Sequence, residues 1–259
     1  MLCSAGSSPT RTAADVAGPT VLVVEHQESC PPALVGRWLA DEGVSLRVVR
    51  PYRGEPVPDQ IEAEGLLVLG GSMGATDDDQ SPWLPAVRDL VRTAATTGHP
   101  VLGICLGHQL AAVALGGEVT RNPKGQTVGA RTVTRTDDGD PLAAALAETS
   151  HVAQWNDDAV VAAPPGTVTL ATNDRDDLLM ARFAERVWGI QGHPEATAEM
   201  VGVWAAKDEA EGGLTGARPE EVPAILDDLR ERQPEITAAW RPVVRAWASL
   251  LSRRLRRAR

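Results

Sequence analysis

Apolar residues recur along this chain in short blocks that alternate between two periods. Residues 20–25 (TVLVVE) form a nearly continuous apolar run, the pattern of a strand buried on both faces. Helical spacing follows over 32–42, through Leu34, Val35, Trp38 and Leu39. Strands are predicted at 46–49, at 65–70 (GLLVLG) and at 100–105 (PVLGIC). Helices are predicted at 84–95, with Leu84, Val87, Leu90 and Val91 on one face, and at 106–115. Strands alternating with helices imply a parallel sheet covered by helices on both faces.

The pattern changes after Gly117. Residues 127–136 (TVGARTVTRT) alternate, 168–172 is a short strand, and 178–184 with 186–191 reads as a hairpin around Glu185. This half is expected to be more antiparallel. Helices are predicted at 197–209, 220–232 and 235–257. The last sets Trp240, Val243, Val244, Trp247, Leu250 and Leu251 in a stripe expected to pack in a core or an interface. The expected organisation is a disordered lead over 1–18, an α/β domain over 19–205 and a helical extension over 206–259.

Composition narrows the function classes. A formal net charge of -10 makes nucleic acid a poor partner, because an acidic surface repels phosphate. The basic residues Arg253, Arg254, Arg256, Arg257 and Arg259 read as a solvated helix end. No stretch is long and apolar enough for a membrane span, and the first residues lack the basic-then-apolar order of a secretory signal. The cysteines Cys3, Cys30 and Cys105 are odd in number and form no CxxC pair, which suggests reduced thiols in a cytoplasm and no metal site. The acidic run Asp77–Asp79 reads as a solvated loop, and no cofactor motif is present: Gly70-Gly71-Ser72-Met73-Gly74 fits neither GxxxxGK[ST] nor GxGxxG.

The strongest chemical signal is Gly103-Ile104-Cys105-Leu106-Gly107, where a strand is predicted to end and a helix to begin. Small residues two before and two after a nucleophile let the chain turn sharply and lift it above the sheet. The positive end of the following helix favours thiolate. A buried inert cysteine fits the same local pattern, so the thiol needs partners to be read as catalytic. His193 is the candidate base. Glu195, two residues on in an extended segment, points to the same side and can orient the imidazole. An oxyanion needs two donors; the amide of Leu106 is expected to be one, and that of Gly71, in the glycine-rich turn after a neighbouring strand, the other.

Gly70-Gly71 after a strand, then Gly103-Ile104-Cys105-Leu106-Gly107-His108-Gln109, then His193-Pro194-Glu195, resembles the class I glutamine amidotransferases in order and spacing. Pro82-Trp83, Asn122-Pro123-Lys124-Gly125 and Gln154-Trp155 are similar to the stand-alone members related to the amidotransferase part of GMP synthase. The resemblance covers roughly 21–205. It implies a flavodoxin-like three-layer (αβα) fold with a mixed, mostly parallel sheet, and a Cys105, His193, Glu195 triad. It also implies that Gln109 contacts substrate glutamine and that Trp155 and Asn156 approach its amino-acid end. The activity implied is hydrolysis of a γ-carboxamide to glutamate and ammonia. A separate synthase or ligase would use the ammonia, since the chain has no P-loop and no room for a synthase domain. Two other readings stay open: a hydrolase of γ-glutamyl conjugates, and a catalytically silent binding protein. The chain departs from the family pattern at Gly192, where an aromatic usually precedes His-Pro-Glu, so lost packing beside His193 is expected. It departs also at Trp155-Asn156-Asp157-Asp158, where Trp-His-Gly-Asp is usual, and at Thr127, where many members carry Glu.

Overall fold

Three successive strands that are buried at almost every position set the frame of the computed structural model, which describes residues 18–251. These are β1 (Thr20–Val24), β3 (Gly65–Val68) and β4 (Val101–Ile104), with β2 (Ser45–Val49) beside β1. Their side chains alternate between two apolar layers. Val21, Val23, Leu67, Leu102 and Ile104 face one layer, and Leu22, Val24, Leu66, Val68 and Val101 the other. Near-continuous apolar runs are needed because each face is covered by helices. On one face lie α2 (Leu84–Thr97) and α3 (Leu106–Ala114); on the other lie α1 (Ala33–Asp41) and the C-terminal helix.

The second half contributes β5 (Glu118–Arg121), β6 (Thr127–Arg135), β7 (Thr149–Asn156), β8 (Asp158–Ala162), β9 (Val168–Asn173), β10 (Leu178–Ala184) and β11 (Val187–Ile190). The main sheet has nine strands in the order β2-β1-β3-β4-β11-β10-β9-β6-β7, and β5 pairs with β8 in a small second sheet. The strands β2, β1, β3, β4 and β11 run parallel, and the remaining neighbours are antiparallel. The fold is therefore the three-layer α/β arrangement expected, with a mixed, mostly parallel sheet. The predicted hairpin at Glu185 is what turns β10 into β11 and returns the chain to the parallel core. Strands β5, β7 and β8 were not predicted.

Helix α4 (Ala198–Glu211) follows, and its span contains the expected boundary at 205/206. A correction applies to the last helices. Two were expected, at 220–232 and 235–257, and the structure has one, α5 (Val222–Leu251), which passes through Pro234 and Pro242. Proline inside a helix removes a hydrogen bond and costs about 3 kcal/mol. The apolar stripe is continuous across Pro234: Leu229, Ile236, Trp240, Val243, Val244 and Trp247 are all buried. Several large side chains at about 1.5–3 kcal/mol each outweigh the penalty. The Trp stripe is thus core. It packs against α1 and the β6–β7 end of the sheet, and Trp240 Nε1 donates to the His151 carbonyl at 2.8 Å. Residues 1–17 of the lead predicted over 1–18, and the basic tail at 253–259, lie outside the described residues. Among the described residues no helix is long and apolar enough to cross a membrane, and no group of acidic, His and Cys side chains could hold a metal. In the acidic loop, Asp78 forms a two-point ion pair with Arg88 at 2.9 and 2.7 Å, and these hydrogen bonds hold its carboxyl below the usual range.

Candidate active site

The register of β4 with β11 brings the two sequence motifs together. Ile104 lies opposite Ile190 in parallel strands, so Cys105 and His193 follow neighbouring strands at the same, C-terminal, end. Cys105 is held there with φ 50° and ψ −105°, in the left-handed half of backbone space that a side chain rarely occupies. Its amide donates to the Ile190 carbonyl at 2.8 Å. The flanking glycines are steric necessities. A Cβ on Gly103 would stand 2.3 Å from the Gly107 carbonyl oxygen, and one on Gly107 would stand 2.0 Å from that of Val68. The turn therefore lets α3 start directly over the end of β3, with the thiol at the helix N-terminus.

His193 is fixed from three sides. Its amide donates to the Ala153 carbonyl at 2.7 Å, its Nδ1 lies 2.7 Å from Glu195 Oε1, and its ring packs on Trp204 at 4.5 Å between centroids, tilted by 47°. The packing loss expected at Gly192 does not occur. A Cβ there would meet Val152 Cγ1 at 2.6 Å, so Val152 of β7 fills the space, and Trp204, anchored by Nε1 to the Ser29 carbonyl at 2.9 Å, covers the imidazole. Glu195 is 1% exposed and spends one oxygen on His193.

Burial alone disfavours the imidazolium, but the charges of Cys105 and Glu195 outweigh it and raise the His193 pKa well above its ordinary 6.5. The pairing therefore contributes stability in full below about pH 6.5 and loses it as pH rises through the folded value. In Cys105→Ala the sulfur's share of that pull is gone. His193 is expected to titrate at lower pH than in the native chain, read by NMR of the ring protons; an unchanged titration would rule out a thiolate–imidazolium pair.

Gly71 sits where the sequence placed it. A Cβ on it would lie 2.6 Å from Met73 Sδ and 2.9 Å from Leu106 Cδ2, so glycine is what lets this turn close against the elbow. Among the described residues neither the Gly71 nor the Leu106 amide has another acceptor. Behind the turn His26 is fully buried and its pKa is pushed down to about 3, so it is neutral and accepts from Trp83 Nε1 at 3.1 Å.

Gly71, Cys105 and His193 line a cavity of about 110 Å³. Gln109, Trp155 and Asn156 line it. Gln109 Nε2 donates to the Asp158 carbonyl and to Gln191 Oε1, each at 3.1 Å, and Gln191 Nε2 lies 3.6 Å from Cys105 Sγ. Trp155 Nε1 donates to Asp208 Oδ2 at 2.7 Å, and Asn156 Nδ2 to the Asp158 carbonyl at 3.1 Å. Burial, ahead of the opposing pull of Arg121, raises the Asp158 pKa.

Several wall residues were missed by sequence reasoning: Gln27, Cys30, Gln126, Trp204, Lys207 and Asp208. Trp204, Lys207 and Asp208 had a local cue, since all three fall on the helix that leaves the His-Pro-Glu turn. Cys30 had none. Its thiol is buried beside the site, and burial, reinforced by the charges of Glu195 and Cys105, pushes its pKa up to about 12.

The glutamine amidotransferase class-I family profile matches residues 33–208. The chain belongs to the class I glutamine amidotransferases. A glutamine amidotransferase-like protein of Salmonella typhimurium, YfeJ, is 32% identical over 171 residues, 64% of this chain and 71% of that protein. A glutamine-hydrolyzing GMP synthase subunit of Haloarcula marismortui is 37% identical over 160 residues, 61% of this chain and 77% of that protein. Gamma-glutamyl peptidase 5 of Arabidopsis thaliana is 28% identical over 168 residues, 62% of this chain and 66% of that protein. Among solved structures, a glutamine amidotransferase of Thermotoga maritima shares the class I fold with TM-score 0.78 at 22% identity, covering 89% of this chain and 98% of that one.

Proposed function

We propose that this chain hydrolyses the γ-carboxamide of glutamine through a Cys105 thioester, releasing glutamate and ammonia. The observation that carries the reading is the assembly at one cavity of a strained Cys105, a His193 whose charge is favoured, and a Glu195 hydrogen-bonded to it at 2.7 Å. Cys105 Sγ attacks the γ-carbon, and the C–S bond forms as the carbonyl oxygen takes up negative charge facing the amides of Gly71 and Leu106. His193 gives a proton to the nitrogen; the C–N bond breaks and ammonia leaves. His193 then takes a proton from water, whose oxygen attacks the thioester, and glutamate departs as Cys105 regains its thiolate. Glu195 holds the imidazole in place through Nδ1. Gln109, Trp155 and Asn156 bind the amino-acid end.

A separate synthase or ligase in the cytoplasm is the proposed user of the ammonia; the likeness to the GMP synthase subunit of Haloarcula marismortui supports this. A second reading, hydrolysis of γ-glutamyl peptides or conjugates, is supported by the likeness to gamma-glutamyl peptidase 5 and by Asn156-Asp157-Asp158 in the cavity wall. Both readings use the same thioester. The built triad is the argument against a silent binding protein.

Intact-mass analysis after incubation with the glutamine analogue diazo-oxo-norleucine tests the proposal. One adduct is expected on the native chain and none on Cys105→Ala. Cys30 stays unmodified because its buried thiol is protonated at neutral pH. No adduct on native protein whose Cys105 still reacts with iodoacetamide would overturn the glutamyl reading.

A further inference from the structure

Besides Cys105 and His193, the charged side chains lining the cavity are three carboxylates, Asp157, Asp158 and Asp208, and one ammonium, Lys207. The carboxylates have partners of their own. Asp157 pairs with Arg121 at 2.7 Å, Asp158 lies 3.8 Å from the same guanidinium, and Asp208 accepts from Trp155 at 2.7 Å and Gln126 at 3.3 Å. Lys207 differs. Among the described residues it meets no carboxylate, and its bond is to the Ser72 hydroxyl at 3.0 Å. The chain's other lysine, Lys124, is by contrast closed off by Asp177 at 2.9 Å.

The Ser72 hydroxyl is itself held in place. It donates to Gln27 Oε1 at 2.9 Å, as does the Ser72 amide at 2.9 Å, so its remaining capacity is to accept from Lys207. An ammonium has three donors, and this one spends one of them. Lys207 lies three residues after Trp204 on α4, hence on the same helix face and about 4.5 Å further along the axis. Trp204 is the ring that packs on His193. The cation therefore lines the same cavity as Cys105 and His193 of the triad, and as Asp157 and Asp158.

We infer that Lys207 is a specificity residue that binds a carboxylate of the γ-glutamyl substrate. The inference rests on the γ-glutamyl reading above. Two parts of such a substrate carry this chemistry: the α-carboxylate of the glutamyl unit, and the carboxylate of an amino acid leaving from the γ-position. Neutral amides of either group lose the charge and keep the shape.

The test uses the full chain as wild type, Lys207→Ala and Lys207→Arg, with two substrate pairs: glutamine against glutamine α-amide, and γ-glutamyl-glycine against γ-glutamyl-glycinamide. Wild type is expected to prefer the acid over its amide by about 10-fold or more in kcat/KM in at least one pair, the scale of one charge-assisted bond. Lys207→Ala is expected to reduce that preference by a similar factor, chiefly through KM, and Lys207→Arg to restore most of it. Loss confined to the glutamine pair assigns the α-carboxylate; loss confined to the dipeptide pair assigns the leaving group. Equal slowing of acid and amide, the mark of a merely loosened Ser72 turn, overturns the inference, as does an unchanged preference. A native chain that turns over none of the four substrates fails the γ-glutamyl reading itself, an outcome distinct from active protein with an indifferent Lys207.

Discussion

Replacing Cys105 by alanine is expected to lower glutamine turnover by about 10⁴-fold or more, since a covalent mechanism without its nucleophile retains only what binding and oxyanion donors contribute. The fold is expected to survive. The side chain loses one sulfur atom at a position 5% exposed, and His193 keeps its buried partner Glu195 at 2.7 Å. A companion variant separates catalysis from strain. Cys105 sits at φ 50° and ψ −105°, a conformation that costs a residue with a Cβ about 1–3 kcal/mol. Cys105→Gly should therefore be as inactive as Cys105→Ala yet melt at a higher temperature. Glutaminase assays and thermal melts on the three proteins check both statements. Residual activity within 10-fold of native in either variant would end the thioester mechanism, and equal melting temperatures would mean that the elbow stores no strain.

What the sequence makes legible here is what is local. The elbow is written in five consecutive residues because glycine is required at both flanks by contacts within the turn and with the strand it crosses. The pairing of His193 with Glu195 is written in a spacing of two. The parallel core is legible because strands covered on both faces have no polar side to interrupt them. The cavity wall is not legible in this way. Asp208 reaches Trp155 across 53 residues and Gln126 across 82, and nothing near any of them announces the contact. The same holds for Gly192. Read alone, it predicts a gap beside the catalytic histidine, and the gap is filled by Val152 from another strand and covered by Trp204 from a helix. The gap expected between the helices at 220–232 and 235–257, where Pro234 lies, failed for a related reason. Proline's cost is local and visible, whereas the burial that overrides it depends on a sheet built by residues a hundred positions earlier.

The glycines of the elbow give the second large effect, on stability. Gly107→Ala is expected to destabilise the protein by about 3–5 kcal/mol, because its Cβ would stand 2.0 Å from the Val68 carbonyl oxygen and both clashing groups belong to backbone that the sheet and α3 hold in place. For a chain of this length that is a fall in melting temperature of about 6–20 °C. Gly98→Ala is the control. It ends α2 at φ 72° with nothing within 4 Å of a Cβ, so its cost is the left-handed backbone alone, about 1–2 kcal/mol. If the two variants melt together, the elbow tolerates movement of α3 away from β3, and the close seat of the helix on the strand is not what holds Cys105 in place. If Gly107→Ala melts far lower and its folded fraction is also slow, then the contact between α3 and the end of β3 fixes both the fold and the position of the thiol. One glycine then answers to two demands, since the approach of the helix that sets the stability is the same approach that holds Cys105 at the cavity.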